Sequence, residues 1–253
     1  MNFIPAEFLG ELLGTFILIL LGNGVVANVV LNQTKGNDGG WIVITFGWGM
    51  AVFVAVATAM EFGPAHINPA VTLGLAIAGK FLWQNVFFYI LAQMLGAMLG
   101  AFTVWLVYRQ HYALTDDGDA KLGTFSTIPA IRSYPNNFIS EAVGTFVLVF
   151  AVLYMLAPEF AAEGFSEVKF GLGAIGALPV GLLVLAIGLS LGGTTGYAIN
   201  PARDLGPRIM HALLPIPSKR DSDWTYSWIP VAGPVGGALL AAVLFRMLQP
   251  VLP

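Results

Sequence analysis

Six long stretches of this chain carry no charged residue: Leu12 to Thr34, Gly39 to Met60, Phe81 to Tyr108, Ala142 to Pro158, Phe170 to Ala202 and Trp224 to Phe245. A membrane-crossing helix needs about 20 predominantly apolar residues, so the pattern predicts six crossings. Two further apolar segments, Asn68 to Gly79 and Asn200 to Leu214, are too short to span. They read as re-entrant segments, which a bilayer tolerates only where protein or a water-filled path surrounds them. The predicted fold class is an all-α membrane protein of six transmembrane helices and two re-entrant half-helices.

The two halves repeat. The stretch Glu11 to Leu20 matches Glu141 to Phe150, Gly96 to Ala101 resembles Gly237 to Ala242, and Asn68-Pro69-Ala70 recurs as Asn200-Pro201-Ala202. With three crossings in each half, the second half enters the membrane from the opposite side. Such an inverted repeat places its functional site near the midplane, where the halves meet. The repeats run over about 1–110 and 136–253 of one channel domain spanning 1–253, joined by an exposed polar loop at about 111–135.

Asn followed by Pro is a strong helix start, because Asn is a favoured N-cap and Pro is favoured at the first helical position. Two such starts inside apolar sequence leave orphan N–H groups at depth. They suggest a pore whose centre is built from two half-helix N-termini.

Composition narrows the class. Of 253 residues, 57% are hydrophobic and 10% charged, with a mean hydropathy of +0.79, against about 25% charged in a soluble domain. The net charge of −3 with no basic cluster argues against nucleic acid. Absence of cysteine removes disulfides and thiolate chemistry. The histidines His66, His111 and His211 show no metal-ligand spacing, so no metal or cofactor is expected. The first apolar stretch begins near Met1 and is too long for a signal-peptide core, so it is read as a retained helix.

The charges within the apolar sequence are few. Arg203 is the only one between Lys169 and Asp204, and a charge at that depth is costly and usually functional. Glu11 and Glu141 are matched acids that would accept hydrogen bonds from the irregular loops before the half-helices. His66 would orient the first loop, and Asp204 would hold the second. Glycines at helical spacing, Gly96/Gly100 and Gly233/Gly237, suit close helix approach. A secondary transporter also uses inverted repeats, but no coupling acid other than Asp204 stands beside the half-helices. An intramembrane enzyme needs a nucleophile–base or metal constellation, and none is evident, so no catalytic residue is assigned.

The loops Gly63-Pro-Ala-His-Ile-Asn-Pro-Ala-Val-Thr72 and Gly196-Tyr-Ala-Ile-Asn-Pro-Ala-Arg-Asp-Leu-Gly-Pro207 resemble the two signature loops of aquaporins. The resemblance covers essentially the whole chain. Asp204 and Arg208 place it with the aquaglyceroporin branch, the bacterial glycerol uptake facilitators, and the region around Pro230 also fits. By spacing from the two motifs the resemblance implies a selectivity filter of Trp48, Gly188, Tyr197 and Arg203. Gly188 would leave the lumen open where strict water channels have a bulky His. Two residues depart from the family pattern: Tyr197 adds a hydroxyl where Phe is common, expected to narrow or polarise the wall, and Pro64 replaces the usual Gly, fixing φ.

The implied function is a passive channel for glycerol and other small uncharged solutes that also conducts water and excludes ions and protons. The alternative is a channel chiefly for water, hydrogen peroxide or small protonated acids. The resemblance implies a homotetramer in the lipid bilayer with one pore per subunit. It also implies cytoplasmic N- and C-termini, and the short termini suggest a bacterial plasma membrane. Charge bias opposes that orientation: it puts Lys80, Lys169 and Arg246 inside but Lys35, Arg109, Lys121, Arg132, Arg208, Lys219 and Arg220 outside, against the positive-inside rule.

Overall fold

The computed structural model describes residues 5–155 and 172–251, whose regular elements are all helical, with no strand among them. Among the described residues six helical spans are long and apolar enough to cross a membrane: α1 (Ala6–Val30), α2 (Trp41–Ala59), α4 (Trp83–Leu114), α6 (Tyr134–Tyr154), the span Gly173–Leu191 made of a 3₁₀ turn and α7 (Leu178–Leu191), and α9 (Ile229–Leu248). Two half-helices, α3 (Pro69–Ile77) and α8 (Pro201–Leu213), begin where the Asn-Pro pairs predict, and a short α5 (Gly118–Gly123) lies in the connecting segment. Proline marks other starts as well, standing in the first turn of α6, α7 and α9, where its missing N–H would be an orphan in any case.

Span limits differ from the hydropathy reading in a physically informative way. α1 and α6 begin earlier than the uncharged runs, at Ala6 and Tyr134, because Glu11 and Glu141 lie inside helices rather than at their ends. The fifth run overshoots: α7 stops at Leu191 and residues 192–200 form irregular chain leading into Asn200. Uniform apolarity cannot distinguish a helix from a buried loop whose backbone is bonded elsewhere. Pro158, Lys169 and Phe170 lie outside the described residues.

Equivalent elements pack equivalently. α1 packs most extensively on α4 and α6 on α9, while the half-helices cross over, α3 against α9 and α8 against α4. Each half therefore supplies the wall on which the other's half-helix rests. The helix contacts are built from small residues: Ala92, Ala97, Ala101, Ala238, Ala241 and Ala242 are buried. Large apolar side chains such as Phe87, Phe88, Leu95, Leu99 and Leu106 on α4 face outward, as a chain in lipid requires.

The glycine pairs serve this close approach. A methyl group at Gly96 would lie 2.3 Å from the Leu12 carbonyl oxygen, and one at Gly237 would lie 2.1 Å from that of Ala142. Both distances are far inside van der Waals contact.

The connecting segment is exposed only in part. Tyr112, Lys121, Leu122, Thr124, Phe125, Ser126 and Thr127 are all buried. Its polar groups are bonded internally: the Tyr112 hydroxyl lies 2.6 Å from that of Thr124, Lys121 Nζ donates to the Pro217 carbonyl at 2.5 Å, and Asn23 on α1 donates to that of Phe125 at 3.3 Å. Part of its polarity satisfies a folded-in stretch, while Asp116, Asp117 and Asp119 stay exposed.

Gly237→Ala should therefore lower stability by about 1–3 kcal/mol through overpacking. Gly24→Ala, where nothing lies within 4 Å, should be neutral or gain up to about 1 kcal/mol of helix propensity. Thermal unfolding followed by tryptophan fluorescence in detergent distinguishes the two.

Candidate functional site

The two half-helices meet tip to tip. Each Asn caps its own helix through its side-chain oxygen: Asn68 Oδ1 accepts from Ala70 N at 2.8 Å, and Asn200 Oδ1 accepts from Ala202 N at 3.0 Å and Arg203 N at 3.2 Å. Each amide nitrogen then reaches across. Asn68 Nδ2 donates to the Ile199 carbonyl and Asn200 Nδ2 donates to the Ile67 carbonyl, both at 2.8 Å. One amide proton of each Asn is engaged in this reciprocal clasp, leaving a second available to a solute.

Aiming those carbonyls strains the backbone. Ile67 has φ +46°, Ile199 +42° and Tyr197 +37°, a region that β-branched and bulky side chains rarely adopt and that costs of order 1–3 kcal/mol per residue. Buried carboxylates hold the strained loops. Glu11 accepts from the N–H groups of His66 at 2.6 Å and Ile67 at 2.8 Å. Glu141 accepts from those of Ala198 at 3.0 Å and Ile199 at 2.8 Å, and from the Thr195 hydroxyl at 2.6 Å. Bonds from N–H to a charged acceptor are about twice as strong as neutral ones. With the N–H groups turned to the acids, the loop carbonyls turn inward.

The clasp lies on a cavity of about 180 Å³, below the ~300 Å³ typical of sites for drug-sized ligands. Asn68 and Asn200 line it, as do His66, Trp48, Tyr197 and Arg203. Apolar side chains including Leu18, Val52, Val56, Leu148, Val152 and Val184 form the remaining wall. The Arg203 guanidinium lies over the Trp48 ring, 4.2 Å from its centroid, in cation–π contact. One of its terminal nitrogens is buried with no partner among the described residues.

Gly188 is not brought to the lumen. A methyl group there would lie 2.8 Å from Tyr197 Cζ and 3.0 Å from its hydroxyl. The space left by the absent side chain is thus occupied by the tyrosine ring. The Tyr197 hydroxyl is buried beside α7 without a partner among the described residues, so it does not polarise the lumen as expected. Pro69, Ala70, Pro201 and Ala202 are buried behind the two Asn caps. His66 Nδ1 lies 3.1 Å from the Thr72 hydroxyl, tying the first loop to α3.

Asp204 also stands apart from the cavity. It accepts from the backbone N–H and hydroxyl of Thr127, each at 2.7 Å, and from Arg208 Nε at 2.8 Å. Arg208, fully buried, donates onward to the carbonyls of Ser222 at 2.8 Å and Thr127 at 3.1 Å. Asp204 therefore anchors α8 to the connecting segment and to the loop before α9. Outside the membrane-spanning helices, Asp223 of that loop pairs with Arg132. Burial raises its pKa while the Arg132 hydrogen bond lowers it, with a net shift below the usual carboxylate value.

Sequence reasoning missed Gln93, which donates to Glu11 at 2.6 Å and to Thr72 at 3.0 Å. It also missed Thr195 and Thr127. A Gln in the middle of an apolar span was the one available signal; the threonines carried none.

The chain matches the family model described as major intrinsic protein over residues 2–245. It is 56% identical over 241 residues to the glycerol uptake facilitator protein of Streptococcus pneumoniae, covering 95% of this chain and 98% of that one. It is 54% identical to glycerol uptake facilitator protein 3 of Lactiplantibacillus plantarum, covering 97% and 98%. Among solved structures it superposes on the X-ray structure of the aquaglyceroporin from Plasmodium falciparum with a TM-score of 0.80, at 31% identity and 97% coverage of both chains.

Arg208→Met would leave the Asp204 carboxylate buried without its cation, at a cost of about 3–5 kcal/mol. A large drop in unfolding temperature is expected, read in detergent by size-exclusion after heating.

Proposed function

The chain belongs to the major intrinsic protein family, a multi-pass membrane channel rather than an enzyme, and we propose that it conducts glycerol and other small uncharged solutes passively. The observation that carries this reading is the mixed lining of the cavity. Apolar side chains such as Leu18, Val52, Leu148 and Val184 share it with the polar residues Asn68, Asn200 and Arg203. A polyol has the same mixed character, with a carbon backbone and hydroxyl groups. The names of the relatives, glycerol uptake facilitators, agree with it.

Water passes by the same donors. Each half-helix N-terminus is equivalent to about +0.5 charge, and two facing ends with Arg203 make a positive region that repels cations and hydronium. The two Asn amides orient a passing oxygen from both sides, which discourages proton hopping along a water file. A homotetramer in a bacterial plasma membrane, with both termini cytoplasmic, belongs to the same proposal.

One observation favours a narrower function. The Arg203 guanidinium rests directly on Trp48, leaving no room for a solute between them. A filter that stayed in this arrangement would pass water, hydrogen peroxide or a small protonated acid more readily than glycerol.

Stopped-flow light scattering on proteoliposomes decides between the readings. Fast, non-saturating glycerol flux without an ion gradient is expected, and glycerol at the empty-vesicle level with fast water would select the narrower function. Two filter variants extend the test. Gly188→Ala should push the Tyr197 ring toward the lumen and lower the glycerol-to-water ratio roughly tenfold or more, the worth of a methyl group in a fitted site. Tyr197→Phe should leave the ratio unchanged, because the lost hydroxyl faces α7.

A further inference from the structure

Tyr197 lines the cavity, yet no hydrogen bond of its own holds its ring. Its hydroxyl has no partner among the described residues, and its backbone is strained at φ +37°. The ring's position therefore depends on the surfaces that enclose it. Gly188 and Gly192, one helical turn apart, form the floor: methyl groups there would lie 2.8 Å from Tyr197 Cζ and 2.4 Å from Cδ1. Any side chain at either position would displace the ring.

Trp41, the first residue of α2, supplies the adjoining wall. Its indole meets the Tyr197 ring edge-on, with centroids 5.8 Å apart and planes at 82°, the favoured geometry for an aromatic pair. Its Nε1–H donates to the Gly188 carbonyl at 3.1 Å, so the wall is tied to the floor. Thr45, one turn further along α2, completes the contact. Its methyl group would lie 3.0 Å from a Cβ at Gly188, and its hydroxyl donates to the Trp41 carbonyl at 3.0 Å. Trp41 is partly exposed, and it is not among the residues lining the cavity.

We propose that Trp41 is a positioning residue that sets the size limit of the filter by clamping Tyr197 into the Gly188–Gly192 slot. It acts through the tyrosine, without touching the solute. The solute class rests on the polyol-channel reading, whereas the clamp rests on the contacts alone. Removing the indole opens space beside the ring and gives it a second position, so discrimination against longer polyols falls.

The test compares water, glycerol and erythritol permeability of wild type, Trp41→Ala and Trp41→Phe in proteoliposomes. Trp41→Ala should raise the erythritol-to-glycerol ratio about fivefold, the worth of one edge-on aromatic pair. Trp41→Phe keeps a ring without the N–H and should give a smaller rise, roughly twofold. An aromatic at a helix start also sits well at the membrane interface, but a role confined to that would lower thermal stability or insertion and scale all permeabilities together. An unchanged ratio in Trp41→Ala therefore overturns the clamp. Should wild type pass water but no glycerol, the polyol reading falls, and the clamp is then judged on urea against water. A higher urea-to-water ratio in Trp41→Ala would support it, and an unchanged one would overturn it.

Discussion

Two hydrogen bonds at the centre of the protein, from Asn68 to the Ile199 carbonyl and from Asn200 to the Ile67 carbonyl, impose the demands that the rest of the structure meets. They join two helices that end in mid-membrane. Orphan N–H groups at such ends cost several kcal/mol each in lipid unless they are satisfied. The clasp works only if both helices start at the same depth, point at each other, and have their preceding carbonyls turned across the gap. Each requirement has its own residues. The Asn oxygens cap the helices, left-handed Ile67 and Ile199 turn the carbonyls, and Glu11 and Glu141 hold the loops in that shape.

The charge arrangement follows from the same demand. A carboxylate buried in each half-site is costly unless it is fully bonded, and each of these two receives three hydrogen bonds from its loop and neighbours. Asp204 and Arg208 neutralise each other. Arg203, one residue before Asp204, is left without an acid partner among the described residues: it lines the cavity, and one of its terminal nitrogens is buried and unpaired.

The filter shows how a residue can matter for what it accommodates. Gly188, Gly192 and Gly22 all make room for aromatic rings: the first two for Tyr197, and Gly22 for Trp48, whose Cζ3 would lie 2.3 Å from a methyl group there. On the proposed reading, the bore is set by how deeply these two rings sink into glycine-lined helix faces, which makes helix packing and solute selection one problem.

Much of this was legible in the chain. Uncharged length predicts the crossings, Asn-Pro predicts the two half-helix starts at the positions found, and the repeat pairs Glu11 with Glu141. These are local properties: apolar length, capping chemistry and internal similarity are decided by neighbours in sequence. The partners of Gln93, Thr127 and Thr195, the burial of Tyr112, Lys121 and 124–127 in the connecting segment, and the tyrosine ring in the space beside Gly188 were decided by tertiary structure alone. Each depends on which surfaces meet between residues far apart in sequence or on where a ring turns once its backbone is strained. No local preference encodes that, because the same Gly, Gln or Thr in another register would face lipid or water.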